Sequence, residues 1–270
     1  MSQTDSRPAA ESTDPGHYPG SPVAVNHTEP VARRVRAMFD GLTVVDTVRA
    51  IYVWEHPYYP QLYIPAADVD TSFLTDSGQL RETPQGQSTV HSLTHGERRV
   101  DQAARLITDA AVEGLAATYR FEWDALDAWF EEDEEMFLHV RSPYVRVDSL
   151  RSSRRVRIEK DGVVLADSTS PVILLETGLP PRYYLPRTDI FWQHLRPCDT
   201  QTRCPYKGTT TGYWSVHVNG QRYADLAWSY DFPTRESASV AGLVCFLDEK
   251  LDVFLDDPHP QPPTATSSVR

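Results

Sequence analysis

RRVRAMFDGLTVVDT (Arg33–Thr47) and RRVRIEKDGVVLADS (Arg154–Ser168) are the two stretches on which the reading of this chain turns. Both open on Arg-Arg-Val-Arg, step through Asp-Gly and close on Asp followed by a small hydroxyl residue. The second begins 121 residues after the first. That displacement holds without a gap through three further features. IYVWE (Ile51–Glu55) falls on VILLE (Val172–Glu176), LYIP (Leu62–Pro65) on YYLP (Tyr183–Pro186), and AADV (Ala66–Val69) on RTDI (Arg187–Ile190). Separate features in one register indicate that a single domain was duplicated. The boundary is placed near Leu150–Ser153, giving domains over 31–150 and 151–257.

Further on the register drifts. LAATYRF (Leu115–Phe121) resembles LAWSYDF (Leu226–Phe232), and SLTHG (Ser92–Gly96) is set against CPYKG (Cys204–Gly208). RSPYVRVD (Arg141–Asp148) is a weaker match to DEKLDVFL (Asp248–Leu255). On this alignment Trp228 faces Ala117, and Arg187 faces Ala66.

Each copy is patterned mostly as strand, so the expected class is mainly β, with a few short helices. Asp40-Gly41 and Asp161-Gly162 are hairpin turns between strands, and Asn219-Gly220 is another. Ile51–Trp54 and Val172–Leu175 are short apolar runs of the kind that forms buried strands. Short helical turns are expected after Asp68 and Asp189. Two segments of the first copy read differently. Val100–Gly114 is alanine-rich with helical spacing, although the repeat asks for a strand there. Phe121–Glu135 (FEWDALDAWFEEDEE) is strongly acidic and reads as a solvated helix or loop. Residues 1–30 and 258–270, rich in Ser, Thr, Pro and Gly, read as disordered tails.

The chain is long enough for two domains with real cores. A formal net charge of −12 argues against nucleic-acid binding, which depends on neutralising phosphates. No apolar run is long enough to span a bilayer, and no secretory signal opens the chain. Three cysteines (Cys198, Cys204, Cys245), none in a CxxC pair, suit a reducing cytoplasmic setting and give no metal site. No cofactor is implied.

The second copy closely resembles a bacterial domain family known as DUF427, also labelled nucleotidyltransferase-like. The matching residues are YYLPRTDI, the region from Thr200 into CPYKG, YWSV (Tyr213–Val216), AWSYDFP (Ala227–Pro233) and AGLVCFLDEKLDVF (Ala241–Phe254). The first copy resembles a divergent version, so the chain resembles a tandem form. The resemblance implies a β-tent fold, two small antiparallel sheets pinned at an angle, shared with the thalidomide-binding domain of cereblon and with methionine sulfoxide reductase B. Those relatives often carry a four-cysteine zinc site, which cannot be carried over to a chain without CxxC pairs. The transferase label finds no support in the residues: there is no Gly-Ser pair with spaced aspartates and no phosphate loop.

The candidate site lies in the second copy. Lys207, on the CPYKG turn, is either an exposed loop lysine, an anchor for an anionic group or a nucleophile. Tyr206, Tyr213, Trp214, Trp228 and Tyr230 form an aromatic set that suits core packing or a ligand cage; Trp228 and Tyr230 share a strand face, as do Trp214 and Val216. Cages of this kind hold planar ligands in the cereblon-like relatives. Tyr184 and Arg187 complete the walls, Arg187 as a clamp for carboxylate or phosphate. Asp189 is a helix-turn cap or a general acid or base. Cys204 is a turn cysteine or, with Lys207 and Arg203 nearby and His194 or His217 as base, a nucleophile. The residues fit first a small-molecule-binding protein with its site in the second copy and the first copy as scaffold. The alternatives are an enzyme on the same fold, working through the Cys204 thiol or handling an anionic substrate through Lys207, and a protein-interaction module using acidic Glu131–Glu135.

Overall fold

The computed structural model describes residues 23–256. The chain divides into two compact units, with the division between Val145 and Arg146. The expected tails lie outside the described residues up to residue 22 and from residue 258. Within residues 23–30 the tail reading needs correction, because Thr28–Pro30 forms an edge strand on Ile51–Val53. An edge position tolerates the proline that composition alone counted against structure.

In the first unit the larger antiparallel sheet runs β1 (Thr28–Pro30), β4 (Ile51–Val53), β5 (Gln61–Pro65), β9 (Thr118–Phe121), β8 (Arg98–Ala110), β7 (Gly86–His95) and β6 (Leu74–Thr83). The smaller one runs β11 (Glu134–Met136), β10 (Ala128–Glu131), β2 (Val35–Phe39) and β3 (Leu42–Thr47). In the second unit the larger sheet runs β12 (Val147–Arg151), β15 (Val172–Glu176), β16 (Arg182–Leu185), β22 (Val244–Phe246), β21 (Gln221–Ser229), β20 (Gly212–Val218) and β17 (Leu195–Pro197). Its smaller sheet is β14 (Val163–Ser168), β13 (Arg155–Lys160) and β23 (Asp252–Asp256). A two-stranded ladder, β18 (Arg203–Cys204) with β19 (Gly208–Thr209), sits in the long β17–β20 connection. The strand orders of the two larger sheets correspond one to one; in the smaller sheets β3, β2 and β10 match β14, β13 and β23, and β11 has no counterpart.

Local chemistry repeats with the topology. Asp40-Gly41 and Asp161-Gly162 have positive φ at both residues (51° and 73°; 50° and 77°), the backbone of the hairpin turn that suits strand twist. Arg34 forks onto both oxygens of Asp46 at 2.7 and 2.5 Å, and Arg155 forks onto Asp167 at 2.8 and 2.6 Å. These are cross-strand pairs on exposed ribbons, so each contributes little on its own. The hydroxyls of Thr47 and Ser168 each accept the backbone N–H two residues on. Short 3-10 turns follow at Ala66–Asp68 and Arg187–Asp189, and then at Thr71–Phe73 and Trp192–His194.

One face of the second unit's large sheet packs on its small sheet, joining Leu185, Val216, Ala227, Val244 and Phe246 to Val156, Ile158 and Leu165. The opposite face carries Val172, Leu174, Tyr184, Tyr230 and Cys245, covered by the 3-10 helix Arg235–Val240 through Val240. The counterpart of this second cluster in the first unit is Val53, Tyr63, Ile107 and Leu115.

Three expectations change. Val100–Gly114 is mostly the long strand β8, not a helix. Its alanines suit either state, and pairing along β7 and β9 settles the matter. The acidic Phe121–Glu135 does keep most of its carboxylates exposed, Glu132–Glu135 among them, but it is neither helix nor loop: it supplies the end of β9, a 3-10 turn (Trp123–Ala125) and strands β10 and β11. Trp129 and Glu131 are buried, and Glu131 receives Arg33, Arg141 and the Tyr52 hydroxyl. Topology also replaces the drifting alignment. β9 matches β22 rather than β21, and Ser92–Gly96 falls at the end of β7 and its turn, in the place of β20 rather than of CPYKG. RSPYVRVD has no such role either: the counterpart of β23 is β10.

Candidate functional site

The CPYKG turn folds over the outer face of the second unit's large sheet. Pro205 and Gly208 shape it: Gly208 has φ 91°, and the turn is tied down by Thr234 and Ser237, whose hydroxyls donate to the Tyr206 carbonyl. This tether turns Lys207 inward. Its side chain is only 14% exposed, and its ammonium pairs with Glu176 at the end of β15. Burial works against that charge, but the neighbouring Cys204 sulfur and the Glu176 carboxylate outweigh it, and the Lys207 pKa is raised. Lys207 is therefore neither an exposed loop lysine nor a lysine tuned to attack as a free amine.

Beside this pair lies a cavity of about 240 Å³, lined by Leu174, Glu176, Arg182, Tyr184, Trp228 and Tyr230 among others. Tyr213 stacks on Trp228, with centroids 6.1 Å apart and planes 29° from parallel. Cross-strand pairing explains the contact, because Tyr213 sits directly opposite Trp228. Trp228 Nε1 lies 3.4 Å from the Tyr184 hydroxyl. Burial raises the phenol pKa values of Tyr184 and Tyr230, so both remain neutral hydrogen-bonding groups at any ordinary pH. Cys245 is fully buried beneath the cavity, between Tyr184 and Trp228 on the ladder. Arg182 forks onto Glu249 at 2.9 and 2.5 Å.

Of the residues singled out from sequence, Tyr184, Lys207, Tyr213, Trp228 and Tyr230 come together here, with Cys204 on the same turn as Lys207 and close enough to raise its pKa. Tyr206 is buried in the turn behind Lys207 rather than in the cavity lining. Trp214 is separated. It follows Tyr213 on β20, so it faces the opposite side of the sheet, where it packs against Trp192 at 5.3 Å in the inter-sheet core. Arg187 accompanies it, its guanidinium 5.5 Å from the Trp214 ring and bonded to the Gly242 carbonyl, Ser229 and Asp231. Arg187 is thus engaged as a cross-strand clamp and is not free to receive a ligand carboxylate. Asp189 is the last residue of its 3-10 turn, whose N-cap is Pro186 without a side-chain cap. Its carboxylate instead accepts the Thr188 hydroxyl. Lys207, rather than His194 or His217, is the group beside Cys204; His217 pairs with Arg222 near the far end of β20.

Glu176, Arg182 and Leu174 were not anticipated. A signal for Glu176 did exist: Glu closes the apolar run in both copies, as Glu55 and Glu176. In the first unit Glu55 is met by the Tyr63 hydroxyl at 2.9 Å, Arg105 at 2.8 Å and Arg120 at 3.2 Å. Ladder register puts Arg105, opposite Arg120, in the place of Trp228, opposite Cys245. Ile107 correspondingly stands for Tyr230. The equivalent of the cavity is closed by this chain's own guanidinium groups. Among the described residues no group of three or more His, Cys, Asp or Glu side chains is placed to hold a metal ion, and no helix is long and apolar enough to cross a membrane.

Fold and site together define a tandem, mainly β protein with one open and one filled version of the same sheet-face site. The profile of the family described as Domain of unknown function (DUF427) matches residues 27–132 and 148–257, and the chain belongs to that family as two copies. A search of curated proteins finds no match.

Proposed function

We propose that the second unit binds a small, planar, polar molecule in the cavity over Trp228 and Tyr184, and that the first unit is a scaffold copy. One observation supports this above the others. At matched strand positions, Trp228 and Cys245 leave a lined space above a buried ion pair, whereas Arg105 and Arg120 occupy it. A cavity of about 240 Å³ suits a ligand of one or two rings, smaller than a drug-sized molecule. Stacking on Trp228 supplies affinity and the Lys207–Glu176 pair supplies orientation. An anionic substrate is disfavoured because both cations lining the cavity already hold carboxylates. The test is a thermal-shift screen of the full chain against planar heterocycles with and without N–H donors, since a ligand of the native state raises Tm. Binding is expected in the wild type and lost in Trp228→Ala. A screen in which no heterocycle shifts Tm would end the proposal.

A second reading, thiol chemistry at Cys204, draws support from the Lys207 ammonium beside the sulfur. Cys204→Ser separates the two: it leaves binding within about twofold under the first reading and removes turnover under the second.

A further inference from the structure

Glu55 and Glu176 hold the same place in the two units with different company. Glu55 takes hydrogen bonds from Tyr63, Arg105 and Arg120, the last reaching both carboxylate oxygens. Glu176 takes, among the described residues, one: Lys207, on Oε2. Its side chain is only 8% exposed, and it lines the cavity. An ionised carboxylate offers about four acceptor positions, so a buried anion here has acceptor capacity that no described side chain uses. Tyr184, whose counterpart Tyr63 donates to Glu55, instead has the Trp228 indole N–H at its hydroxyl.

The first unit shows what a carboxylate at this position receives: a flat fork of two N–H groups from Arg120, on Oε1 and Oε2, and one further N–H from Arg105 on Oε1. In the second unit the strand positions that deliver those groups carry Trp228 and Cys245, and Tyr213 stands in the place of Val90. The donors are gone, and ring faces wall the space they would fill. Buried polar groups are ordinarily satisfied, and a carboxylate left short of donors is costly.

We infer that the cavity takes a planar ligand with two adjacent N–H donors, such as a ring N–H beside an exocyclic amine. The donor edge docks on Glu176 and the ring face lies against Trp228. This rests on the binding proposed above and adds the chemical class. The Glu176–Lys207 pair is neutral as a unit and Arg182 is held by Glu249, so a neutral or weakly basic heterocycle fits better than an acid.

The experiment is isothermal titration of the full chain with 2-aminobenzimidazole, which has the donor fork, and 2-methylbenzothiazole, which has a similar outline and no N–H. The fork-bearing compound should bind about 10- to 100-fold more tightly, as expected for paired hydrogen bonds to a charged acceptor. Glu176→Gln should remove most of that preference. Equal affinity of the two compounds for the wild type would overturn the donor assignment while leaving the cavity a binding site. So would a preference that survives in Glu176→Gln. If neither compound nor any heterocycle of the wider screen binds, the cavity itself is not a ligand site and both readings fall. Should Glu176→Gln fail to fold, the wild-type comparison alone decides.

Discussion

Arg105 stands on its ladder where Trp228 stands on the matching one: each is paired with the strand residue that lies opposite the buried tyrosine, Arg120 opposite Tyr63 and Cys245 opposite Tyr184. One position, two side chains, and the same sheet face is either filled by charge or left open behind a ring.

Trp228→Arg should therefore convert the second site toward the first. The new guanidinium can reach Glu176 as Arg105 reaches Glu55. We expect ligand-induced thermal shifts to vanish while the unliganded Tm changes by only a few degrees. A variant that folds and still binds would show that Trp228 is not part of the wall.

Lys207→Met should be severe. It leaves Glu176 buried without its cation, a loss of about 3–5 kcal/mol for a broken buried pair. Urea denaturation should show it. Arg105→Met should cost less, about 1–2 kcal/mol, because Arg120 and Tyr63 still serve Glu55.

Asp248 makes stability depend on pH. Burial, opposed by Arg182 and reinforced by Glu249, raises its pKa from 3.8 to about 6, and its Oδ1 has no hydrogen-bond partner. The folded chain holds this proton more tightly than the unfolded chain does. Its contribution is fully present below about pH 4 and is lost as pH rises through about 6. Asp248→Asn should gain on the wild type by on the order of 2 kcal/mol between pH 4 and 7.5. Paired denaturation curves at the two pH values check this; a constant difference would contradict it.

Gly86 and Gly208 close comparable turns but should not respond alike to alanine. At Gly86 (φ 128°) a Cβ would sit 2.1 Å from the Asp109 carbonyl oxygen, whereas at Gly208 (φ 91°) the nearest atom is 3.6 Å away. Gly86→Ala should cost more than about 3 kcal/mol, combining strain with a backbone clash, and Gly208→Ala about 1–2 kcal/mol, from strain alone. Chemical denaturation of both variants makes the comparison.

What could be read from the sequence was local. Asp-Gly turns, apolar runs of strand length and the Arg-Arg-Val-Arg openings specify hairpins wherever they occur, and two sets in one register revealed the duplication. The reading failed where long-range pairing decides. Val100–Gly114 has side chains that suit helix or strand, and its partners lie in β7 and β9. The second-half alignment slipped onto look-alike strings: LAATYRF and LAWSYDF lie 226 − 115 = 111 apart, whereas ladder register matches Arg105 with Trp228, 228 − 105 = 123 apart. Trp214 and Trp228 belong to one aromatic set in the sequence, yet their relative side depends on cross-strand register, which puts Tyr213 rather than Trp214 opposite Trp228. Lys207 finds Glu176 across 31 residues, a distance over which no local pattern operates.

Cys245 lies fully buried beneath Trp228 and Tyr184, and its thiol pKa is pushed well up, chiefly by desolvation. An alkylating reagent can reach that sulfur only when the strands above it part. The rate at which Cys245 is trapped under native conditions is thus a built-in clock for local opening of the site, and a bound guest that braces the roof should slow it.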